Sequence, residues 1–408
     1  MDAGDAEDGE GAEDSAFQRT SSSSSSSSLV SRAASAAYSA MYSARSRFMG
    51  GAPRLSEAAP VRLAGEAALY RAAVAAVDGG SGGGTATPPW AELHAATAKR
   101  AWITYRSGFP AMDGARRCTS DAGWGCTLRS SQMMLAEALR RLQRAEAEAA
   151  VAAAAAMAAD GELLRCFADR PCAAAPFSLH SMCAAGDALG VDSRSGEWYA
   201  PGDAARMLQR LVQEAATERA PEVLRRSGLR IWTNPVDVAG TIVRDGVREC
   251  TTGGGAAGWS GALMLVLTVK VGNESTINAE QRGQVLELMA LPQSLGFVGG
   301  RPSSSFYFIG SQEERLLYLD PHTVHSCVDV GRDDDFPTES YSCAQSGVMN
   351  ISDVDPMLCV GFLCTDEADF EALCERLGRI DPLLRLCDVV QTQQAEAAYD
   401  GGDEGDDW

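Results

Sequence analysis

The feature that most constrains this chain is a glycine-flanked cysteine where a loop gives way to an apolar helix pattern. Thr119 to Arg129 reads Thr-Ser-Asp-Ala-Gly-Trp-Gly-Cys-Thr-Leu-Arg. Gly123 and Gly125 interrupt local structure and admit close backbone approach. Beyond Cys126, the residues Leu128, Leu135, Leu139 and Leu142 recur at helical spacings, with Met133, Met134 and Ala138 among them. The spacing predicts a helix whose first turn holds Cys126. Unpaired N–H groups and the helix dipole favour an anion there, so the thiol is expected to ionise readily and act as a nucleophile. A buried structural cysteine near a helix start fits the same local pattern, and local chemistry alone leaves both readings open.

A cysteine nucleophile needs a base, and the chain offers four histidines: His94, His180, His322 and His325. The most informative context is Asp320-Pro321-His322, which follows a strand-like run, Arg315 to Leu319. Residues two apart in an extended chain share a face. A carboxylate beside an imidazole fixes its tautomer and favours the imidazolium, which in turn favours a thiolate. Asp-Pro-His is also an ordinary strand-ending turn, and that reading stays open.

Other stretches give a coarse layout. Residues 262–271 and 358–363 read as buried strands, and 305–310 with 315–320 as a hairpin. Residues 279–289 read as a helix, and Asp366 is placed to cap another bearing Phe370, Leu373 and Leu377 on one face. Asp203 is placed to cap a helix with Met207, Leu208, Leu211 and Val212. Leu291 to Gly296 reads as a loop, Gly299 to Pro302 as a turn, and the Ala-rich 57–77 as a helix.

The ends differ in kind. Residues 1–56 combine an acidic start, a serine run from Ser21 to Ser28, and Arg- and Ser-rich sequence to about 54. Too little apolar surface is present there to offset the ordering entropy, so disorder is expected. The 31–54 piece resembles an organelle transit peptide, but the acidic start argues against that. Asp78 to Pro89 reads as a Gly-rich linker, and 391–408 as an acidic flexible tail. The expected division is therefore a disordered N-terminal region and linker over 1–88, a folded domain over 89–390, and the tail.

Charge narrows the partners. The formal net charge is −20, which argues against nucleic acid and anionic membranes as electrostatic partners. No run approaches the about 20 apolar residues of a membrane span. The twelve cysteines form no ligand cluster at recognisable zinc spacing, so no metal and no cofactor is expected. The chain opens Met1-Asp2-Ala3-Gly4-Asp5, which is not a secretory signal, and reduced thiols in the cytoplasm follow as the expectation.

The Cys126 segment, with Tyr105-Arg106 before it and Gln132 after it, resembles the nucleophile segment of the autophagins. These are papain-like cysteine proteases that process the ubiquitin-like modifier of autophagy. A second stretch, Leu291 to Gly310 followed by Leu317-Tyr-Leu-Asp-Pro-His-Thr323, resembles the second signature of that family. Gly196-Glu-Trp-Tyr-Ala-Pro201, Ser178-Leu-His180 and Asp355-Pro-Met-Leu-Cys-Val-Gly-Phe362 fall in the family's order over roughly 90–380. The resemblance implies an α+β papain-like fold with a smaller lobe within 160–260.

It also implies Cys126 as nucleophile, His322 as general base and acid, Asp320 as its partner, and Tyr105 beside the oxyanion site. Trp198, Pro292 and Gln293 are implied as cleft-gating residues. The implied reaction is cleavage of the modifier precursor after glycine and release of the modifier from phosphatidylethanolamine, the enzyme reaching membrane-bound substrate only peripherally. A catalytically inactive binder of the modifier and a thiol deubiquitinase are the rival readings. Two details depart from the family, Met357 after Asp355-Pro356 and Ser342 before Cys343, and no aromatic-x-x-aliphatic motif marks an acidic tail.

Overall fold

The apolar run Leu263 to Val269 forms a strand buried on both faces, and the fold is layered around it. The structure is a computed structural model. It describes Ala37, residues 54–72, and residues 90–391 except 113–116, 151–155, 216–220, 236–239, 253–257, 273–275, 331–335, 344 and 381–387. Of the stretches expected to be disordered or flexible, 1–53 apart from Ala37, the 78–89 linker and the tail beyond 391 lie outside the described residues, whereas the end of the 1–56 stretch is held in place, the Ser56 N–H donating to Gln312 Oε1 at 2.6 Å.

In chain order the elements begin with strands β1 (Val61–Leu63) and β2 (Leu69–Tyr70), helix α1 (Ala91–Ala98) and strand β3 (Tyr105–Ser107). Helices α2 (Cys126–Ala150), α3 (Ala156–Arg165), α4 (Leu179–Ala188), α5 (Pro201–Ala215) and α6 (Glu222–Ser227) follow. Then come β4 (Arg230–Thr233), β5 (Thr241–Val243), α7 (Arg244–Thr252), β6 (Leu263–Lys270), α8 (Ala279–Ala290), β7 (Ser294–Arg301) and β8 (Ser304–Gln312). The last are β9 (Arg315–Leu319), β10 (Val324–Ser326), β11 (Gly347–Asn350), β12 (Met357–Cys364), α9 (Glu367–Leu377) and β13 (Asp388–Val390).

The main sheet runs β11-β9-β8-β7-β12-β6-β4, with β1 added against β8 and β2 against β1. Its pairs are antiparallel except β4 with β6. Strand alternation divides the side chains between two layers. Met264, Val266, Tyr307, Ile309, Leu317 and Leu319 join a buried cluster with α2 and with residues of α3 to α6. Leu265, Leu267, Phe306, Phe308, Val360 and Phe362 join a second cluster with residues of α7, α8 and α9. The segment expected to form a smaller lobe thus supplies helices that share one continuous core with α2.

Two readings are corrected. Residues 61–70, expected within a helix of the unfolded N-terminal region, form β1 and β2, and Leu63 pairs with Gly310. Pairing with an existing sheet edge overrides the helix propensity of alanine. Leu291 to Pro302, expected as loop and turn, contains the buried strand β7. Its glycines permit close approach: a Cβ on Gly300 would lie 1.9 Å from the Ser304 carbonyl oxygen. Other expectations hold. The hairpin is β8–β9, and the Asp366 side chain accepts the Asp369 N–H at the start of α9. A third reading is corrected: Asp203, expected as a cap, lies inside the first turn of α5 and pairs with Arg206 at 2.6 Å.

Candidate active site

The loop before α2 is folded by its own residues. The Asp121 carbonyl accepts the N–H groups of Trp124 and Gly125, at 3.1 and 2.9 Å. Gly123 takes a left-handed φ of +91°, which a side chain would disfavour. Cys126 is the first residue of α2, so its N–H is among those that α-helical bonding leaves unpaired. Beneath this loop the buried Arg129 and Asp121 pair at 2.7 Å, and Arg129 reaches Asp169 at 2.9 Å. Asp121 also accepts the Arg106 N–H at 2.6 Å, tying the loop to β3.

The second half of the site arrives with β9. Immediately beyond that strand, Asp320 Oδ1 lies 2.6 Å from His322 Nδ1 and accepts the His322 N–H at 3.0 Å. One carboxylate oxygen therefore fixes both the ring and its backbone. The parallel pairing of β10 with β3 brings the segment after His322 beside Tyr105, and the Tyr105 N–H donates to Pro321 O at 2.9 Å. The Tyr105 and His322 rings meet edge to face with centroids 5.4 Å apart.

Cys126 and His322 are thus brought together, 4 % and 1 % exposed. Burial by itself would raise the thiol pKa. Hydrogen bonding and charge from His322, the Ser305 N–H and the Tyr105 hydroxyl outweigh it and hold Cys126 below the usual cysteine value. Burial likewise opposes a charged His322, but Asp320 and Cys126 push its pKa up to about 9. Both shifts favour a thiolate facing an imidazolium. The other three histidines are engaged elsewhere: His180 Nε2 meets Pro110 O at 2.7 Å, His325 Nδ1 meets Thr104 Oγ1 at 2.8 Å, and His94 lies on α1.

A cleft of about 200 Å³ opens beside Cys126, lined among others by Trp198, Tyr199, Gly300, Pro302, Ser305 and Met357. Trp198 is 51 % exposed, and its Nε1 donates to Gly123 O at 2.6 Å, so its ring reaches over to the loop that precedes Cys126. The expectation that Pro292 and Gln293 gate this cleft is corrected. The Gln293 amide is buried and donates to Asp369 Oδ1 at 2.6 Å, while Pro292 is exposed at the far end of β7. The intervening strand separates Gln293 from Gly300 by about 23 Å. The proline in the cleft is Pro302, at the β7–β8 turn. The signal for it was Gly299-Gly300-Arg301-Pro302 leading directly into the hairpin strand, whereas the earlier proline merely follows a helix.

A helix-borne cysteine packed on an antiparallel sheet that carries its histidine defines the papain-like class of cysteine peptidases. Residues 91–376 match the peptidase C54 catalytic domain. The chain belongs to that family, the autophagins. It is 31 % identical to the cysteine protease ATG4A of Pongo abelii over 310 residues, covering 72 % of this chain and 76 % of the relative. It is 34 % identical to the cysteine protease ATG4B of Oryza sativa subsp. indica over 300 residues, 68 % of this chain and 59 % of the relative. It is 28 % identical to the cysteine protease ATG4D of Xenopus laevis over 323 residues, 69 % of this chain and 66 % of the relative. No described helix is long and apolar enough to cross a membrane.

Proposed function

We propose that this chain is a cytoplasmic cysteine endopeptidase that cuts the precursor of an autophagy ubiquitin-like modifier after glycine and releases the modifier from phosphatidylethanolamine. The observation that carries the reading is the Asp320–His322–Cys126 alignment at the N-terminus of α2. The Cys126 thiolate attacks the glycine carbonyl carbon, forming a C–S bond as the carbonyl π electrons move to oxygen. The Cys126 N–H and the Tyr105 hydroxyl are the donors for that oxyanion. His322 gives its proton to the leaving amine as the C–N bond breaks, leaving a thioester. Water, deprotonated by His322, then attacks the thioester, and the glycine carboxylate departs with the thiolate restored. In delipidation the leaving amine is the lipid's ethanolamine nitrogen, and the steps are otherwise the same.

Trp198 and the Pro302 turn flank the cleft and are the residues that would move as the substrate tail enters, which limits idle proteolysis. Glycine suits so narrow a cleft because no side chain must be seated. The test compares wild type and Cys126→Ala on a purified modifier precursor. Product ending in glycine from the wild type alone supports the reading. Binding without cleavage by either protein favours the inactive binder. Neither cleavage nor binding by folded protein removes the modifier as substrate.

A further inference from the structure

Ser305 stands next to the nucleophile, yet only its backbone takes part in the chemistry described so far. Its N–H donates to the Cys126 sulfur, helping to lower the thiol pKa. Its hydroxyl is different. Ser305 is 8 % exposed, and its Oγ has no hydrogen-bond partner among the described residues. A buried hydroxyl left unpaired costs stability, and most find partners.

The direction of this hydroxyl follows from the strand. Side chains two apart on β8 share a face, and Tyr307 and Ile309 lie in the cluster packed on α2, while Phe306 and Phe308 lie in the opposite one. Ser305 therefore faces the α2 layer, at the end of β8 where α2 begins with Cys126. It also lines the cleft. Its near neighbours Gly299, Gly300 and Pro302 bring no side-chain hydrogen-bonding group, while Thr127, Tyr199, Arg301, Ser303, Ser304 and Asp355 make up the cleft's other polar lining.

We propose that the Ser305 hydroxyl is a substrate-binding group that pairs with a main-chain amide of the substrate tail lying in the cleft. This rests on the protease reading above. A hydroxyl both donates and accepts, so it matches either the N–H or the C=O of an extended peptide. The free enzyme holds this group unpaired in order to pair it on binding. Activity and stability should therefore respond to its removal in opposite directions.

The test is Ser305→Ala, with three readouts: kcat and KM on the modifier precursor, thermal unfolding, and the pH dependence of Cys126 alkylation by iodoacetamide. The expected result is a fall of about ten-fold in kcat/KM, the cost of a substrate amide left unpaired. The Tm should hold or rise, and the alkylation midpoint should stay in place, because the sulfur's partner is the backbone N–H that alanine retains. Unchanged kcat/KM, with wild type cleaving normally, overturns the proposal. So does a fall in kcat/KM accompanied by a lower Tm or a displaced alkylation midpoint, since that is the signature of a structural hydroxyl. Failure of the wild type itself to cleave would instead remove the protease reading.

Discussion

Helix α2 carries a buried charge cluster at each of two sites, and they differ in what they hold. Near Cys126, two arginines and two aspartates balance one another: Arg129 with Asp121 and Asp169, and Arg106 with Asp169 at 3.8 Å. Arg106 also donates to Ser340 Oγ at 2.8 Å and lies over the Tyr341 ring. Two turns further along, Glu137 sits among Arg100, Arg140 and Arg141, with Glu66 pairing to Arg100 at 2.7 Å. Arg141 also donates to Ala64 O at 2.7 Å and to Ser294 O at 2.8 Å. The first cluster joins the segments that carry Cys126, Tyr105 and the chain after His322. The second staples β1 and its following turn to the back of the helix.

Buried ion pairs are poor sources of net stability, because desolvation cancels much of their attraction. What they add is direction, since each demands a particular approach of two segments. Near the cysteine that direction serves the reaction proposed above, and at Glu137 it holds β1 and the turn after it against the helix. Disturbing the near cluster should therefore alter chemistry as well as stability, and disturbing the far one stability alone.

The largest effect on turnover within the near region is expected from Asp320→Asn. The thiolate–imidazolium form is lost as pH falls through the lowered Cys126 value, and again as pH rises through about 9 at His322. Without the carboxylate, His322 loses its main support, so the alkaline limb of the kcat/KM profile should move to lower pH and the acid limb to higher pH. Turnover at the optimum should fall by about 100-fold or more. A full pH–rate profile checks this, and an unmoved alkaline limb would sink the orienting role of Asp320.

Next comes Arg129→Met, which leaves Asp121 and Asp169 buried without their principal partner. A stability loss of about 3–5 kcal/mol is expected in urea unfolding. The kcat of the remaining folded protein should fall at least about ten-fold as the nucleophile shifts. Glu137→Gln sharpens the contrast. A loss of about 3 kcal/mol is expected, with kcat per folded molecule unchanged, and an equal fall in kcat would erase the distinction between the clusters.

The pH dependence has a definite sign there too. Burial opposes the Glu137 charge, but Arg100, Arg140 and Arg141 hold its carboxyl well below the usual range. Its contribution is present above the ordinary carboxylate pKa and disappears only in strong acid, so Glu137→Gln should flatten the acid side of the stability curve. The smallest effect is expected from Arg141→Ala, which frees two backbone carbonyls at about 1–2 kcal/mol. Faster protease cleavage within residues 54–72, read by mass spectrometry, would show the staple opening, and unchanged cleavage would argue that β1 holds without it.

Much of this site was legible in sequence. The helical spacing after Cys126 placed the thiol at the N-terminus of α2, and the two-residue spacing of Asp320 and His322 put the carboxylate beside the ring. Both are contacts between chain neighbours. The cleft wall was misread for the same reason: glycines at 296, 299 and 300 look like punctuation locally, but β8 and β12 flank β7 and need slender residues there. Pro292 and Pro302 could not be told apart without knowing which end of that strand faces the cysteine. Residues 61–70 looked helical by composition, and only the free side of β8 made them strands.

The sequence by itself determined the place of the Cys126 thiol on its helix, the pairing of carboxylate with imidazole, and the strands β6, β8, β9 and β12, because spacing along the chain controls each of these. The tertiary structure brought that pair to Cys126 and held His180 and His325 on other partners. It likewise decided that Pro302 and Ser305 line the cleft, and that the arginines and carboxylates at 106, 121, 129 and 169 form one network. Those contacts join segments far apart in the chain, and the packing of α2 against the sheet, not any local preference, sets which of them meet.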